Sequence, residues 1–306
     1  MPIFSIILTV LGLCLFEIIS SVDNAIINAE VLKTMSAKAR RWFLVWGLLF
    51  AVFIMRGLLP WAIVWATAPQ LGPIGAITAT FSNDPHVHQA IESSAPVLLS
   101  GGGIFLIFLF FHWLFMEPKN YGLRGERFFR SKSVWFYAVV SILLAGIVYA
   151  GLQVHPLMAF SACLGSTAFF IIHGLRQQSE EAEKNLMGGN MSDLSKILFL
   201  EFIDASFSID GVLGAFAFTL SVPLILLGNG IGSLVLRQLT IGNIDRITKY
   251  KYLKNGAMYS IFVLGMIMLL DAFGVPIPEW ISPIITILVV SYFFFKSRRE
   301  LVEVSS

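Results

Sequence analysis

Long apolar segments recur along this 306-residue chain and restrict what it can fold into. Nine of them qualify as helices that cross a bilayer, which need roughly 20 residues each; they are 3–32, 42–66, 96–116, 134–153, 156–175, 196–220, 222–244, 255–273 and 281–295. Charged residues make up only 13% of the chain, against about 25% in a soluble domain. The pattern predicts an all-α, polytopic membrane protein with about nine transmembrane helices, and it excludes a soluble enzyme.

Basic residues are confined to alternate connections between these segments. All but two of the 21 Lys and Arg residues lie there, and the two exceptions, Arg56 and Arg237, fall inside predicted spans. The positive-inside rule then places the N-terminus outside and the C-terminus inside. A net charge of +2 is too small to indicate a nucleic-acid partner. The lipid bilayer is the expected partner, and a homo-oligomer is left open.

An internal repeat divides the predicted membrane domain. The stretch Glu17–Ala25 resembles Asp204–Val212, and each is followed by a span that carries an arginine, Arg56 or Arg237. The two acidic spans are predicted to run in opposite directions, so the three-helix repeats are inverted, an arrangement typical of transporters with a site near the midplane. The single domain 1–306 then comprises a first repeat (1–116), connecting helices with a cytoplasmic linker (117–195), a second repeat (196–273) and an extra C-terminal helix (274–306).

Five carboxylates lie inside two of the predicted spans: Glu17, Asp23, Glu201, Asp204 and Asp210. Each costs at least about 2.5–3.5 kcal/mol at the centre of a membrane helix. A bound cation, protons or the two arginines must therefore neutralise them, and structural pairing with the arginines is the plain alternative to a cation site.

The geometry of a regular helix separates the acids within each span. Glu17 and Asp23, like Asp204 and Asp210, are six residues apart and point about 120° away from each other. Both members of a pair can meet one ion only if the helices unwind near Asp23-Asn24 and near Asp210-Gly211, and we expect them to do so.

Oxygen ligands of this kind suit Mg²⁺, Ca²⁺ and Mn²⁺ rather than softer metals. The predicted metal ligands are Glu17, Asp23, Asn24, Glu201, Asp204, Ser208 and Asp210, with Arg56 and Arg237 as charge-balancing or gating residues.

These motifs resemble the TerC family of integral membrane proteins, within the LysE-like transporter group. The family pattern Glu-x-x-x-Ser-x-Asp-Asn-Ala matches Glu17–Ala25, and Glu-x-x-Asp-x-x-Phe-Ser-x-Asp matches Glu201–Asp210. A late span begins with Tyr-Leu-Lys-x-Gly at Tyr252–Gly256, as in that family. One departure is Gly211–Leu213, where typical members have Ser-Ile-Pro. The resemblance implies manganese efflux across the cytoplasmic (inner) membrane, with an older link to tellurium resistance.

The expected function is export of a divalent cation by alternating access with proton coupling. Mn²⁺ is the favoured substrate, with Ca²⁺ or Mg²⁺ as alternatives, and neither an organic cofactor nor an enzymatic activity is expected. An intramembrane hydrolase is disfavoured because no His-Glu-x-x-His motif is present. The alternative from another class is a membrane accessory factor that assists assembly or metalation of membrane or exported proteins.

Overall fold

The structure is a computed structural model that describes residues 3–78, 85–187, 192–247 and 249–305. Within these ranges the regular secondary structure is helical, without a β-strand. The α-helices are α1 (Ile3–Ser20), α2 (Val22–Lys33), α3 (Ala37–Trp42), α4 (Leu48–Phe50), α5 (Leu59–Thr67), α6 (Gly72–Thr78), α7 (Pro85–Met116), α8 (Glu126–Ser131), α9 (Phe136–Val154), α10 (Pro156–Met187), α11 (Asp193–Ala215), α12 (Val222–Ile247), α13 (Leu253–Ala272) and α14 (Ile281–Ser305). Two π-helical stretches, Phe43–Gly47 and Ala51–Leu58, join α3, α4 and α5.

Six helical segments of the described chain are long and apolar enough to cross a membrane: Ile3–Ser20, Glu92–Met116, Ser133–Val154, Pro156–Gln178, Leu253–Ala272 and Ile281–Leu301. This is consistent with a multi-pass membrane protein. The apolar helices Ile54–Thr67 and Val222–Gln238 are shorter, and α11 carries four carboxylates within its length. All nine predicted segments are helical, while nine crossings, the inverted repeats and the orientation remain predictions.

Helix α7 lies at the centre of the fold. In its apolar part, Glu92–Met116, 89% of the most hydrophobic stretch is buried inside the chain, whereas the corresponding share in Ser133–Val154 is 17%. Glycines let the neighbouring helices approach α7 closely. A side chain at Gly101 would collide with Ser161 of α10, and one at Gly103 would lie 3.0 Å from the carbonyl oxygen of Gly265 in α13. The α7 glycines therefore set the spacing of this core.

Replacing Gly165 with alanine is expected to lower the free energy of unfolding by about 1–3 kcal/mol, the usual cost of overpacking. The new Cβ would overlap the carbonyl oxygen of Gly101, which as backbone has little room to move. Gly146→Ala is the matched control, because no atom lies within 4 Å of its added Cβ. Detergent-solubilised variants can be compared by denaturant unfolding; equal stability of the two would contradict the close approach of α7 and α10.

The polar segment 176–195, the part of 117–195 where we expect the cytoplasmic linker, is helical over most of its length. Helix α10 continues to Met187, and α11 begins at Asp193; residues 188–191 lie outside the described part of the chain. The start of α11 is anchored, since the Ser36 hydroxyl donates to the Asp193 carboxylate and the Lys196 ammonium donates to the Thr34 carbonyl oxygen at 3.0 Å. The turn between α2 and α3 is thereby held against α11.

Candidate cation site

The structure divides the five predicted carboxylates between two groups of polar side chains. The first, which we call the arginine cluster, contains Glu17, Asn24, Arg56, Glu201, Asp204 and Arg237. The second, which we call the histidine cluster, contains Asp23, His112, Glu117, His173, Arg176, Asp210 and Lys254.

Glu17 is held in the interior by close packing of α1 against α12. In α12, Gly228 lies against Leu13, and Gly232 lies against Cys14 and Glu17. A Cβ added at Gly232 would come within 2.7 Å of the Glu17 Cβ. Such small residues four positions apart allow close contact between membrane helices. The result is a carboxylate that is only 1% exposed and therefore depends on protein partners for its charge.

Arg56 supplies the main partner of Glu17. Its Nε donates to Glu17 Oε1 at 2.9 Å, and its Nη1 lies 3.9 Å from Asp204 Oδ2. The Ser21 hydroxyl donates to the same Glu17 oxygen at 2.9 Å, and that of Ser233 does so at 3.3 Å. Arg56 lies on the π-helical stretch Ala51–Leu58, a backbone form that recurs at functional sites. Arg56 thus joins the acids of α1 and α11, which are far apart in sequence.

A cavity of about 70 Å³ opens beside this ion pair. Its lining includes Asn24, Asn28, Arg56, Asp204 and Arg237. The Asn24 amide nitrogen donates to Asp204 Oδ1, and the amide oxygen of Asn24 takes no part in this contact. The buried Oδ1 atoms of Asn24 and Asn28 have no hydrogen-bond donor among the described residues. A buried acceptor without a donor is costly, so these two amide oxygens are open to a hydrogen-bond donor or a cation.

Glu201 and Arg237 complete the arginine cluster. The absence of a side chain at Gly47 makes room for the Glu201 carboxylate, because an added Cβ there would overlap Glu201 Oε1. That oxygen is also buried without a donor in the described part of the chain. The Arg237 guanidinium donates to the Phe43 carbonyl oxygen at 3.2 Å, and its charge acts on both Glu201 and Asp204. Three carboxylates thus face two guanidinium groups, a formal charge of −1.

The predicted unwinding of the two helices is wrong at both places. Asp23 and Asn24 lie within α2; the interruption at Ser21, between α1 and α2, keeps the hydrogen bonds from Ser21 N to the Glu17 carbonyl and from Ala25 N to the Ser21 carbonyl. Helix α11 runs without interruption through Asp210-Gly211 to Ala215. Leu213 continues the helix at the position where typical members of the TerC family have a proline. Asp204 and Asp210 therefore keep their angular separation of about 120° and face different partners.

Asp23 and Asp210 consequently lie away from the cavity. Asp210 Oδ1 is 2.7 Å from Arg176 Nη2, and Asp23 Oδ2 is 2.8 Å from Lys254 Nζ. Ser208 is buried, but neither it nor the two aspartates is among the residues that line the cavity. Across the described residues, no three His, Cys, Asp or Glu side chains are grouped so as to hold a metal ion by themselves. The cavity therefore offers a mixed set of carboxylate and amide oxygens.

Comparison with known proteins shows which family the chain is part of. The sequence profile of DUF475, a family of proteins of unknown function, matches residues 22–301. The chain belongs to the DUF475 family. No curated protein and no solved structure matches this DUF475 chain.

Several polar residues of this DUF475 protein escaped the reasoning from sequence. Asn28 lies one helical turn after Asn24 on the same face of α2, a spacing that could have identified it. Arg176 and Lys254 were grouped with the basic connections, yet both pair with predicted acids. Glu117 follows α7 and pairs with Lys254 at 2.8 Å, and nothing in the local sequence indicates that contact.

Proposed function

We propose that this DUF475 protein transports a hard divalent cation across the cytoplasmic membrane, with Mn²⁺ as the favoured substrate. The observation that carries the proposal is the cavity beside Asp204, whose lining includes buried amide oxygens of Asn24 and Asn28 that have no donor in the described structure. Carboxylate and amide oxygens are ligands that Mn²⁺, Ca²⁺ and Mg²⁺ share. The likeness of the two acidic motifs to TerC proteins supports manganese among these ions and efflux as the direction.

Arg56 is the counter-ion of the cation-free state in this proposal. It neutralises Glu17 and lies near Asp204, so a cation that enters the cavity repels the guanidinium and takes over its contact with Asp204. Ionisable groups inside a membrane domain are costly and mark ion pathways. Because Asp204 faces Arg56 without the cation and the cation once it is bound, its charge has a positive partner in both states. The cation and Arg56 are thus expected to compete for the same carboxylate.

Transport can be measured with purified protein in liposomes that contain a fluorescent Mn²⁺ indicator. We expect the intact chain to carry Mn²⁺ and the Asp204→Asn variant to show at least about a tenfold lower initial rate, since loss of a metal-site partner commonly costs 10–100-fold in metal affinity. Asp271→Asn is the matched control, because this carboxylate is exposed at the end of α13. Competition by Ca²⁺ and Mg²⁺ ranks the ions.

Absence of Mn²⁺ flux in a folded, correctly reconstituted protein would contradict the transport proposal and favour the accessory factor. Equal flux in Asp204→Asn and in Asp271→Asn would contradict the assignment of the site. Mn²⁺-dependent thermal stabilisation of the purified chain, measured on the same two variants, separates loss of binding from loss of transport.

A further inference from the structure

The histidine cluster is a continuous chain of ionisable groups that the proposed cation site does not use. The imidazole rings of His112 in α7 and His173 in α10 lie with their centroids 3.9 Å apart. His112 Nδ1 is 3.5 Å from Glu117 Oε1, and Glu117 Oε2 is 2.8 Å from Lys254 Nζ. The same ammonium lies 2.8 Å from Asp23 Oδ2. Lys254 thus bridges the end of α7 to α2.

This cluster differs from the arginine cluster in how its oxygens are satisfied. Asp23 and Glu117 share the Lys254 ammonium, and Asp210 has the Arg176 guanidinium, so its acceptors already face positive charge. His112 Nδ1 is buried without a hydrogen-bond partner among the described residues, and it faces Glu117 Oε1 at 3.5 Å. A proton on that nitrogen therefore has a carboxylate acceptor already in place. This cluster is suited to a proton rather than to a metal cation.

We propose that His112 and His173, together with Glu117, form the proton-binding site of this transporter. A proton on His112 Nδ1 converts its 3.5 Å contact with Glu117 into a charged hydrogen bond, and Glu117 then holds Lys254 less tightly. The inference rests on the proposed function, because it assigns the coupling ion of that transport. Chains of His, Asp and Glu inside membrane proteins commonly serve as proton relays.

The path from the proton to the cation runs through α2. Lys254 contacts Asp23, and the next residue, Asn24, holds Asp204 by its amide and lines the cavity. A Lys254 released from Glu117 binds Asp23 more strongly and pulls on the turn of α2 that carries Asn24. Proton binding at the imidazole pair thereby changes the cavity without any contact between the proton and the cation.

The surroundings of the pair contain charges of both signs. Burial alone would raise the pKa of Glu117, but the neighbouring His112 imidazole and the Lys254 ammonium outweigh it and hold that pKa well below its usual range. Glu117 is therefore an anion when the imidazoles titrate. Glu117 after α7 and Arg176 of α10 are the charged groups that act on the imidazole pair. Lys119 after α7, Asp210 of α11 and Lys254 of α13 act in turn on Glu117.

Histidine NMR of the isotope-labelled full chain in detergent micelles tests proton binding directly. We expect the two imidazoles to take up one proton between them as the pH is lowered, and to do so together. Glu117→Gln should lower the midpoint by at least about one pH unit, since an opposite charge at this range shifts a titration by about 1–3 units. The exposed His155 serves as the internal reference. Independent titration of both imidazoles, or no response to Glu117→Gln, would overturn the proposal.

Coupling is tested in liposomes that report Mn²⁺ and internal pH together. We expect His112→Gln and His173→Gln to move Mn²⁺ down its gradient with at least a fivefold smaller proton counter-flux per Mn²⁺, and His155→Gln to keep the ratio of the unaltered chain. An unchanged ratio in both imidazole variants would refute the coupling role. If the unaltered chain carries no Mn²⁺, the proposed function fails, while the NMR titration still decides whether the site binds a proton.

Discussion

Replacement of Arg56 with methionine is expected to lower the free energy of unfolding by about 3–5 kcal/mol, the cost of leaving one partner of a buried ion pair alone. Glu17 is 1% exposed and Arg56 is 3% exposed, so water cannot take over the lost contact. The double variant Arg56→Met with Glu17→Gln should recover most of the loss, because the buried charge of Glu17 is then removed together with its partner. Denaturant unfolding of the detergent-solubilised variants, followed by tryptophan fluorescence, measures both effects.

Mn²⁺ is expected to stabilise the Arg56→Met variant more than the unaltered chain. The substitution removes the competing positive charge from beside Asp204, and a ligand that binds only the folded state raises its stability in proportion to its affinity. Arg41→Met is the matched control, since Arg41 is exposed near the start of the same helical stretch. Equal destabilisation in Arg56→Met and Arg41→Met would refute the buried pair. Equal stabilisation by Mn²⁺ with and without Arg56 would refute the competition.

Replacement of Glu126 with alanine is expected to cost at least about 3 kcal/mol in the free energy of unfolding. This carboxylate is 1% exposed and accepts hydrogen bonds from the amides of Gly122 and Leu123 at 2.8 and 3.1 Å. The Asn255 amide donates to it at 3.0 Å, and the Tyr259 hydroxyl at 3.1 Å. Hydrogen bonds to a charged group contribute about 1.5–3 kcal/mol each, and the substitution removes several together.

The same unfolding measurement on Glu279→Ala supplies the control, because Glu279 is exposed in the connection between α13 and α14. The stability of Glu126→Ala should not respond to Mn²⁺, since Glu126 lies in neither polar cluster. A loss below about 1 kcal/mol would contradict the role of Glu126 in fastening the connection after α7 to α13.

The arginine cluster is where reasoning from sequence came closest to the structure. A repeated acidic motif, each copy followed by an arginine-bearing segment, led us to group Glu17 and Asp204 with Arg56 across 187 residues, the offset of the repeat. The structure places these three side chains together. The physical reason is that a charge in an apolar helix has few possible partners, so the few opposite charges in these helices pair with each other. The metal role of the cluster stays a prediction.

Asp23 and Asp210 illustrate where the same reasoning stopped. Their partners, Lys254 and Arg176, lie at helix ends next to the basic connections. The positive-inside rule counts all basic residues of these connections alike, so it does not distinguish the two that pair with acids. The distances to Asp23 and Asp210 depend on how α13 and α10 pack against α2 and α11. Helix periodicity states which faces the acids occupy, but not which helix covers each face.

The sequence by itself determined the helical class, the apolar segments and the small set of buried charges on which function must depend. These follow from hydropathy and from the cost of charge in an apolar medium, both of which are local properties. Only the tertiary structure decided that the acids separate into two clusters, that α11 continues through Gly211, and that the rings of His112 and His173 meet beside Glu117. Those outcomes depend on contacts between distant helices, and a one-dimensional pattern does not contain them.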